Sequence, residues 1–454
     1  MRLSAQSLWT VLLHLSVLVP QAHAIDVDAT SPDSLKSAAS DATYGAFMWY
    51  HGNETGQIPG AFPSKWWEGS ALFAAALNYW HTTGDTTYND EVSVGLQWQG
   101  GSKGDYMPSN YSSYLGNDDQ MFWGLAAMSA AELKFPDRSS GYSWLSLAQG
   151  VFNTQKARWD TSSCGGGLRW QIFVYQAGYT MKNAVSNGGF FQLAARLARY
   201  TGSAEYLTWA EKAWDWSVSS PLVNNQTWNV ADSTQCADNC ANAGNVQWTY
   251  NYGIYLMGAA YMYNYTSDQK WLDATNGLLG TMFKTFFPHD NILEDITCEP
   301  REICNNNEIL FKGLTSQWLS YTAILVPQTA DQIWPKLQAS GTAAGASCTG
   351  NGNNTCGVRW YQSKWDGWTG MEEEISASQV FSANLLKYAT GTVGPVTAKT
   401  GGDSKSNPNA GEEGTSTSPH YSTITGGDKA GASILTIGFV CGWVGIMVFM
   451  LLGG

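Results

Sequence analysis

The sequence predicts an all-α fold, a toroid of helical hairpins, on three observations. First, an apolar, Ala-rich helical stretch ends three times in one kind of turn: Thr83-Gly-Asp-Thr-Thr-Tyr88, Thr201-Gly-Ser-Ala-Glu-Tyr206 and Thr266-Ser-Asp-Gln-Lys-Trp271, each aromatic opening a second helix. Second, the first helix of each pair begins a nearly constant interval earlier, at Trp66-Trp67-Glu-Gly, Asn187-Gly-Gly-Phe-Phe and Tyr250-Asn-Tyr-Gly; Asn117-Asp-Asp-Gln120 fills the same slot ahead of a turn near Pro136-Asp137. Third, no linker-like break interrupts residues 25 to 386, so about 360 residues read as one domain. Stacked hairpins bury their apolar faces on one another. Closing them into a ring gathers every inner-helix N-terminus at one mouth.

In chain order, Met1 to Ala24 carries Arg2, an apolar stretch from Leu8 to Val19 and the small-x-small close Ala22-His23-Ala24, a signal peptide that leaves Ile25 as the first mature residue. The folded domain follows over 25–390. Five sequons, at Asn53, Asn110, Asn225, Asn264 and Asn353, are expected to carry glycans. From about Gly391 the composition turns to Gly, Ser, Thr, Pro and Asn, which reads as a stalk over 391–426. Ile434 to Leu452 is almost wholly apolar, has no basic residue after it and follows the small, polar run Thr425 to Ser433. This pattern is a GPI-attachment signal, removed over 427–454, with Gly426 or Gly427 as the attachment residue. A spanning helix of that length normally carries Lys or Arg on its cytoplasmic side. The expected location is the outer face of the plasma membrane and the cell wall.

Of eight cysteines, Cys441 leaves with the tail. Nearest-neighbour pairing joins Cys236 with Cys240, Cys298 with Cys304 and Cys348 with Cys356, and leaves Cys164 over. No metal and no cofactor is expected, because the cysteines are not clustered with histidines and the folded region holds only His51, His81 and His289.

A net charge of -13 with no basic footprint argues against nucleic acid as a partner. The 22 Trp and 22 Tyr exceed what a core of this size needs, and flat rings with a polar edge suit the apolar faces of sugars. Trp66, Trp67, Trp123, Trp170 and Tyr250 are candidate stacking platforms, though burial in the core fits each equally well. Lys182 and Asn187, on a helix-start segment, are candidate polar contacts. Asp118 and Asp119 offer the paired carboxyls of a retaining glycosidase, about 5 Å apart, one attacking the anomeric carbon while the other trades a proton with the bridging oxygen. Consecutive helical side chains point about 100° apart and so can flank one sugar ring. Asn-Asp-Asp before an apolar run also fits a plain helix start. The ring would gather Asn117, Asp118, Asp119, Asn187, Tyr250 and Asn251 around one cavity. Repulsion between the two acids should leave one carboxylate and one acid. The rival cluster Glu372-Glu-Glu374 reads as a solvated helix face, since three consecutive acids cannot all face inward.

Asn117-Asp-Asp, Pro63-Ser-Lys-Trp-Trp67 with Thr83-Gly-Asp85 after it, Tyr179-Thr-Met-Lys-Asn183 with Ser186-Asn-Gly-Gly189, and Thr249-Tyr-Asn-Tyr-Gly253 together resemble glycoside hydrolase family 76 over essentially all of 25–386. The similarity is greatest to its fungal GPI-anchored wall members, named mannan endo-1,6-α-mannosidases and thought to act as transglycosidases. The resemblance implies an (α/α)6 barrel, Asp118 as nucleophile, Asp119 as acid/base and Asp232 as a sugar-binding acid. It departs at Phe311-Lys-Gly-Leu-Thr-Ser-Gln317, where many relatives carry an apolar run and Arg, so Lys312 is given no role. The implied partners are an α-mannose-containing glycan (a GPI core or mannan) and wall β-glucan, handled by a monomer. The competing class is a mannan-binding lectin or scaffold that has lost turnover.

Overall fold

The computed structural model describes residues 27–62, 65–111, 114–389 and 394–412, with the single residues 436 and 443. The expected signal peptide, Ile25, Gly426, Gly427 and nearly all of the anchor signal lie outside the described residues. Twelve α-helices follow one another: α1 (Pro32–Phe47), α2 (Glu68–Thr83), α3 (Asn89–Gln99), α4 (Asn117–Glu132), α5 (Trp144–Ala157), α6 (Ala184–Thr201), α7 (Ala204–Ser219), α8 (Thr249–Thr266), α9 (Gln269–Phe286), α10 (Asn306–Leu325), α11 (Ala330–Ser347) and α12 (Met371–Leu385). The even-numbered helices form an inner ring, each packed on the next, and α12 closes back on α2. The odd-numbered helices form the outer layer, with α1 against α12. This is the (α/α)6 toroid. Strands β1 (Met181–Asn183) and β2 (Ser233–Gln235) pair antiparallel with Asn183 opposite Ser233. Among the described residues no helix is long and apolar enough to cross a membrane.

The repeated turn has a local cause. Gly84, Gly202 and Ser267 end α2, α6 and α8 in the left-handed region, at φ 78°, 74° and 58°. In each case the preceding Thr hydroxyl donates to the carbonyl four residues back and accepts the N–H two residues on. Thr83 bridges Tyr79 and Asp85, Thr201 bridges Leu197 and Ser203, and Thr266 bridges Met262 and Asp268. Small residues let the inner helices close on one another. A Cβ on Gly189 would lie 2.3 Å from Met121 Sδ, and one on Gly313 only 2.6 Å from Ser376 Cα. At the far end of the ring Arg196 donates to Glu132 Oε2 at 2.6 Å, and Tyr261 OH joins it at 2.9 Å, which pins α4, α6 and α8 in register.

Three expectations are corrected. Cys164, not Cys236, pairs with Cys240, across 76 residues, and Cys236 is free. The 3-10 turn Cys236–Asp238 and the left-handed Asn239 and Cys240 direct the Cys236 thiol to Ser163 and Arg169, both at 3.4 Å. Asn239 meanwhile accepts the Cys164 N–H at 2.8 Å and brings that loop onto Cys240. Cys298–Cys304 and Cys348–Cys356 are bonded. Second, residues 394–412 are a strap along the domain rather than a stalk. Val396 N–H bonds Glu132 O, Ser404 Oγ bonds Asp137, Asn407 N–H bonds Gln149, and Asn153 captures the carbonyls of Pro408 and Ala410. Third, Glu372, Glu373 and Glu374 are buried, at 5%, 4% and 5% exposure. They fill the first turn of α12, where free N–H groups and the helix dipole favour acids. Glu372 accepts from Asn306 Nδ2 at 2.6 Å and Glu374 from Cys356 N–H at 2.9 Å. Burial pushes Glu373 to about 8 and Glu374 to about 7, so near neutrality these are uncharged or half-charged acids rather than a solvated anionic face.

All five sequon asparagines are exposed. Asn264 differs from the others in lying in the last turn of α8, where its amide already donates to Leu325 O and accepts from Arg199.

Candidate active site

The inner-helix N-termini surround a cleft of about 560 Å³ lined by Lys65, Trp66, Trp67, Tyr114, Leu115, Asp118, Asp119, Phe122, Trp170, Gln171, Met181, Asn183, Asp232, Tyr250, Asn307 and Phe311. Both members of the aspartate pair are there. Gly116 is the N-cap of α4, and Asp119 reaches back to accept its N–H at 2.7 Å, while Asp118 Oδ1 accepts the Asp119 N–H at 3.0 Å. The helix start itself is clamped from behind. Asn117 N–H bonds Trp170 O at 2.9 Å, the Asn117 side chain joins Arg169 O and Arg158, and Gly116 forms a bridge with Gln171.

The spacing of the pair follows from Gly116. A Cβ built there would lie 2.2 Å from Asp118 Oδ1 and 3.1 Å from Asp119 Oδ2, so these oxygens are no more than about 5 Å apart. Both carboxyls are raised, first by burial. Asp118 is raised well above the usual range because the Asp119 charge adds to burial, although the Asp119 N–H and Trp170 side chain oppose the shift. Asp119 rises only to about 6, since the Gly116 N–H and the Lys65 charge favour its anion. The two carboxyls therefore titrate as a coupled pair whose second proton binds in the range just below neutrality. The Gly116 N–H that favours the Asp119 anion is a partner that the sequence alone did not reveal.

Trp66, Trp67, Trp170, Asp232 and Tyr250 also line the cleft. Trp66 is fixed by its indole N–H to Gln99 at 2.6 Å, and Trp67 by its own to Asn307 at 2.9 Å. Tyr250 stacks flat on Phe311, with centroids 3.6 Å apart. Burial, with the charges of Asp232 and Asp118, keeps the Tyr250 hydroxyl protonated. Asp232 immediately precedes β2, is raised by burial and accepts from Asn251 Nδ2 at 3.0 Å.

The remaining candidates stand behind the wall. Asn117 clamps the helix start, and Asn251 holds Asp232. Trp123 is wholly buried between Trp66 and Tyr106. Lys182, with no exposed surface, pairs with Asp160 at 3.1 Å and donates to the carbonyls of Ser163 and Gly166, so it braces the loop before the cleft. Asn187 bonds Leu168 N–H and O. Lys312 is likewise structural, buried against Glu299 and Trp360. Lys65, Tyr114, Gln171, Asn183, Asn307 and Phe311 were not anticipated. Three of them stand inside motifs singled out above, and the capping run Asn305 to Glu308 could have marked the fifth inner helix and with it Asn307. Among the described residues the one convergence of three potential metal ligands is Cys298, Cys304 and Glu308, and its sulfurs are spent on a disulfide.

The model of glycosyl hydrolase family 76 matches residues 34–399. Mannan endo-1,6-alpha-mannosidase DCW1 of Saccharomyces cerevisiae is 42% identical over 419 residues, covering 91% of this chain and 92% of that protein. The crystal structure of Dfg5 from Chaetomium thermophilum in complex with glucosamine superposes with a TM-score of 0.80 at 39% identity, covering 85% of this chain and 97% of that one. An inactive variant of a Salegentibacter α-1,6-mannanase in complex with α-1,6-mannotriose shares the fold, with a TM-score of 0.64 at 17% identity over 78% of this chain and 99% of that one.

Proposed function

Because the chain belongs to glycosyl hydrolase family 76 and is a glycoside hydrolase, we propose that it acts with retention on α-1,6-linked mannose, Asp118 as nucleophile and Asp119 as acid/base. The observation that carries this reading is the spacing of the pair at the cleft floor, about 5 Å at most, which suits direct attack and leaves no room for the intervening water of an inverting enzyme. In the first step an Asp118 oxygen bonds to the anomeric carbon, the glycosidic C–O bond breaks, and the leaving oxygen takes the proton of Asp119. In the second, Asp119 removes a proton from an incoming hydroxyl, whose oxygen bonds to the anomeric carbon and frees Asp118. In this reading Asp119 carries the pair's proton and Asp118 the charge when the sugar is bound. The Asp119 N–H and the Trp170 indole then stabilise the Asp118 anion. Asp232 and the Tyr250–Phe311 stack hold the sugar.

The incoming hydroxyl belongs to wall β-glucan, and the donor is the mannose-containing core of a GPI-anchored mannoprotein. The GPI-attachment signal read in the sequence supports the setting, the names of the relatives support an α-1,6-mannose donor and go no further, and the aromatic walls of the cleft favour a sugar acceptor over water. Incubating the purified ectodomain with a labelled GPI-core glycan and β-glucan oligosaccharides, then weighing the products, is expected to show transfer exceeding hydrolysis. Water-derived products alone at every acceptor concentration would reduce it to an endo-mannosidase.

A further inference from the structure

Residues 170 to 181 form a loop whose ends line the cleft and whose tip, with an exposed Tyr175 and a partly buried Phe173, is too well braced to be flexible. Its base is closed by Trp170 N–H to Met181 O at 2.8 Å, and its tip by Phe173 N–H to Gln176 Oε1 at 2.9 Å and Gln176 N–H to Phe173 O at 3.0 Å. Gly178, at φ +93°, lies under the Trp170 ring, where a Cβ would come within 2.3 Å of Cε3. The loop is thus built onto a side chain of the cleft. At its tip Phe173 and Tyr175 lie nearly parallel, 8° apart in plane and 5.6 Å between centroids, with Tyr175 60% exposed. The bridge between Gly116 and Gln171 runs antiparallel, so its register carries Tyr114, which lines the cleft and is 55% exposed, toward Phe173.

We infer that Tyr114, Phe173 and Tyr175 form an aromatic row that binds the acceptor glycan where it leaves the cleft. Three observations point to this occupant. The row is continuous with the cleft through Tyr114 and Gln171. Its two loop rings stand on a braced loop with no charged residue between 170 and 181, which suits a neutral sugar better than a charged partner. The base of its loop is bridged through Gln171 to Gly116, whose N–H holds the acid/base carboxyl, and the acid/base stands on the side where the leaving group departs and the acceptor arrives. The inference rests on the retaining reading above, in which Asp119 is the acid/base.

The test partitions transfer from hydrolysis in the Phe173→Ala/Tyr175→Ala double variant, neither ring of which lines the cleft. An aryl α-1,6-mannobioside serves as donor, with short and long β-glucan oligosaccharides in one arm and α-1,6-mannan oligosaccharides in the other. With the wild type the acceptor KM should fall as the acceptor lengthens. In the double variant the KM for long acceptors should rise roughly tenfold, while hydrolysis of the same donor without acceptor stays within about twofold. The arm that shows the larger effect identifies the glycan. An unchanged acceptor KM, or hydrolysis falling as far as transfer, overturns the proposal. If the wild type passes nothing to any sugar, it is the transfer reading that fails. The row is then judged by calorimetric titration of the same long oligosaccharides into Asp118→Asn protein, where equal affinity with and without the two rings overturns it.

Discussion

Replacing Asp119 with Asn should move the ionisation of Asp118 as well as remove the acid. Two carboxylates whose oxygens lie no more than about 5 Å apart repel by at least roughly 3 kcal/mol at an effective dielectric constant near 20. That corresponds to about two pH units in the titration of the partner. In the wild type the pair binds its second proton near the value of about 6 shown by Asp119, so kcat/KM should fall below pH 6 as the last carboxylate is lost. It should fall again at high pH, once the pair's remaining proton leaves. With Asp119→Asn the remaining carboxyl no longer feels a neighbouring charge, and it should ionise about two pH units lower than Asp118 does in the wild type. Loss of the acid should cost 10²- to 10⁴-fold on an unactivated α-1,6-mannoside and far less on an aryl glycoside whose leaving group needs no proton. The assay is kcat/KM against pH for both substrates. A variant that keeps the wild-type bell, or that loses the two substrates equally, would refute the assignment of Asp119.

Gly116→Ala places a methyl 2.2 Å from Asp118 Oδ1, and shifting that oxygen should lower kcat roughly a hundredfold with little change in melting temperature, as read by steady-state kinetics beside calorimetry. Truncation after residue 390 strips the strap from Asp137, Gln149 and Asn153 and should cost on the order of 3–5 kcal/mol relative to truncation after 412, at about 1 kcal/mol per hydrogen bond, as read by denaturant titration of the two. Stability should be highest near pH 5 and decline toward pH 8. Glu373, Glu374 and Asp295 are raised in the folded state to about 8, 7 and 7, so the native chain binds more protons than the unfolded one from about pH 4 upward, and stability is lost as pH rises through those values. A melting temperature that climbs over that range would contradict the burial of those acids.

What could be read from sequence was what local chemistry determines. The Thr-Gly-Asp type of turn is legible because one hydroxyl and one left-handed residue suffice to end a helix, and four of the six inner helices could be placed by it or by their spacing. Helix α10 opens instead with an Asn–Glu capping box and α12 with three acids after an extended Gly370, so neither announces itself by the repeat. The aspartate pair was visible because adjacency in sequence guarantees adjacency in space. Which polar residues face the cleft was not. Lys182 and Asn187 sit beside a helix start as sugar ligands would, yet their partners are loop carbonyls and amides 16 to 22 residues earlier, a contact that only the closed ring creates. Phe311 was passed over because its value comes from Tyr250, which stacks on it from a different helix. Cys164 was left without a partner because nearest-neighbour pairing ignores a bond that spans 76 residues. The strap was mistaken for a stalk because its composition is that of a linker, while the amides that hold it belong to α5.

The most direct measurement is to trap the glycosyl-enzyme. A fluorinated α-mannosyl donor that forms the glycosyl ester but releases it slowly should add one glycosyl unit per chain, and peptide mapping should place it on Asp118, with Asp119→Asn still labelled by an activated donor and Asp118→Asn not labelled at all. A label on Asp119, or on Glu372, Glu373 or Glu374, or turnover that inverts the anomeric centre with no covalent adduct, would contradict the retaining mechanism built on the Asp118–Asp119 pair.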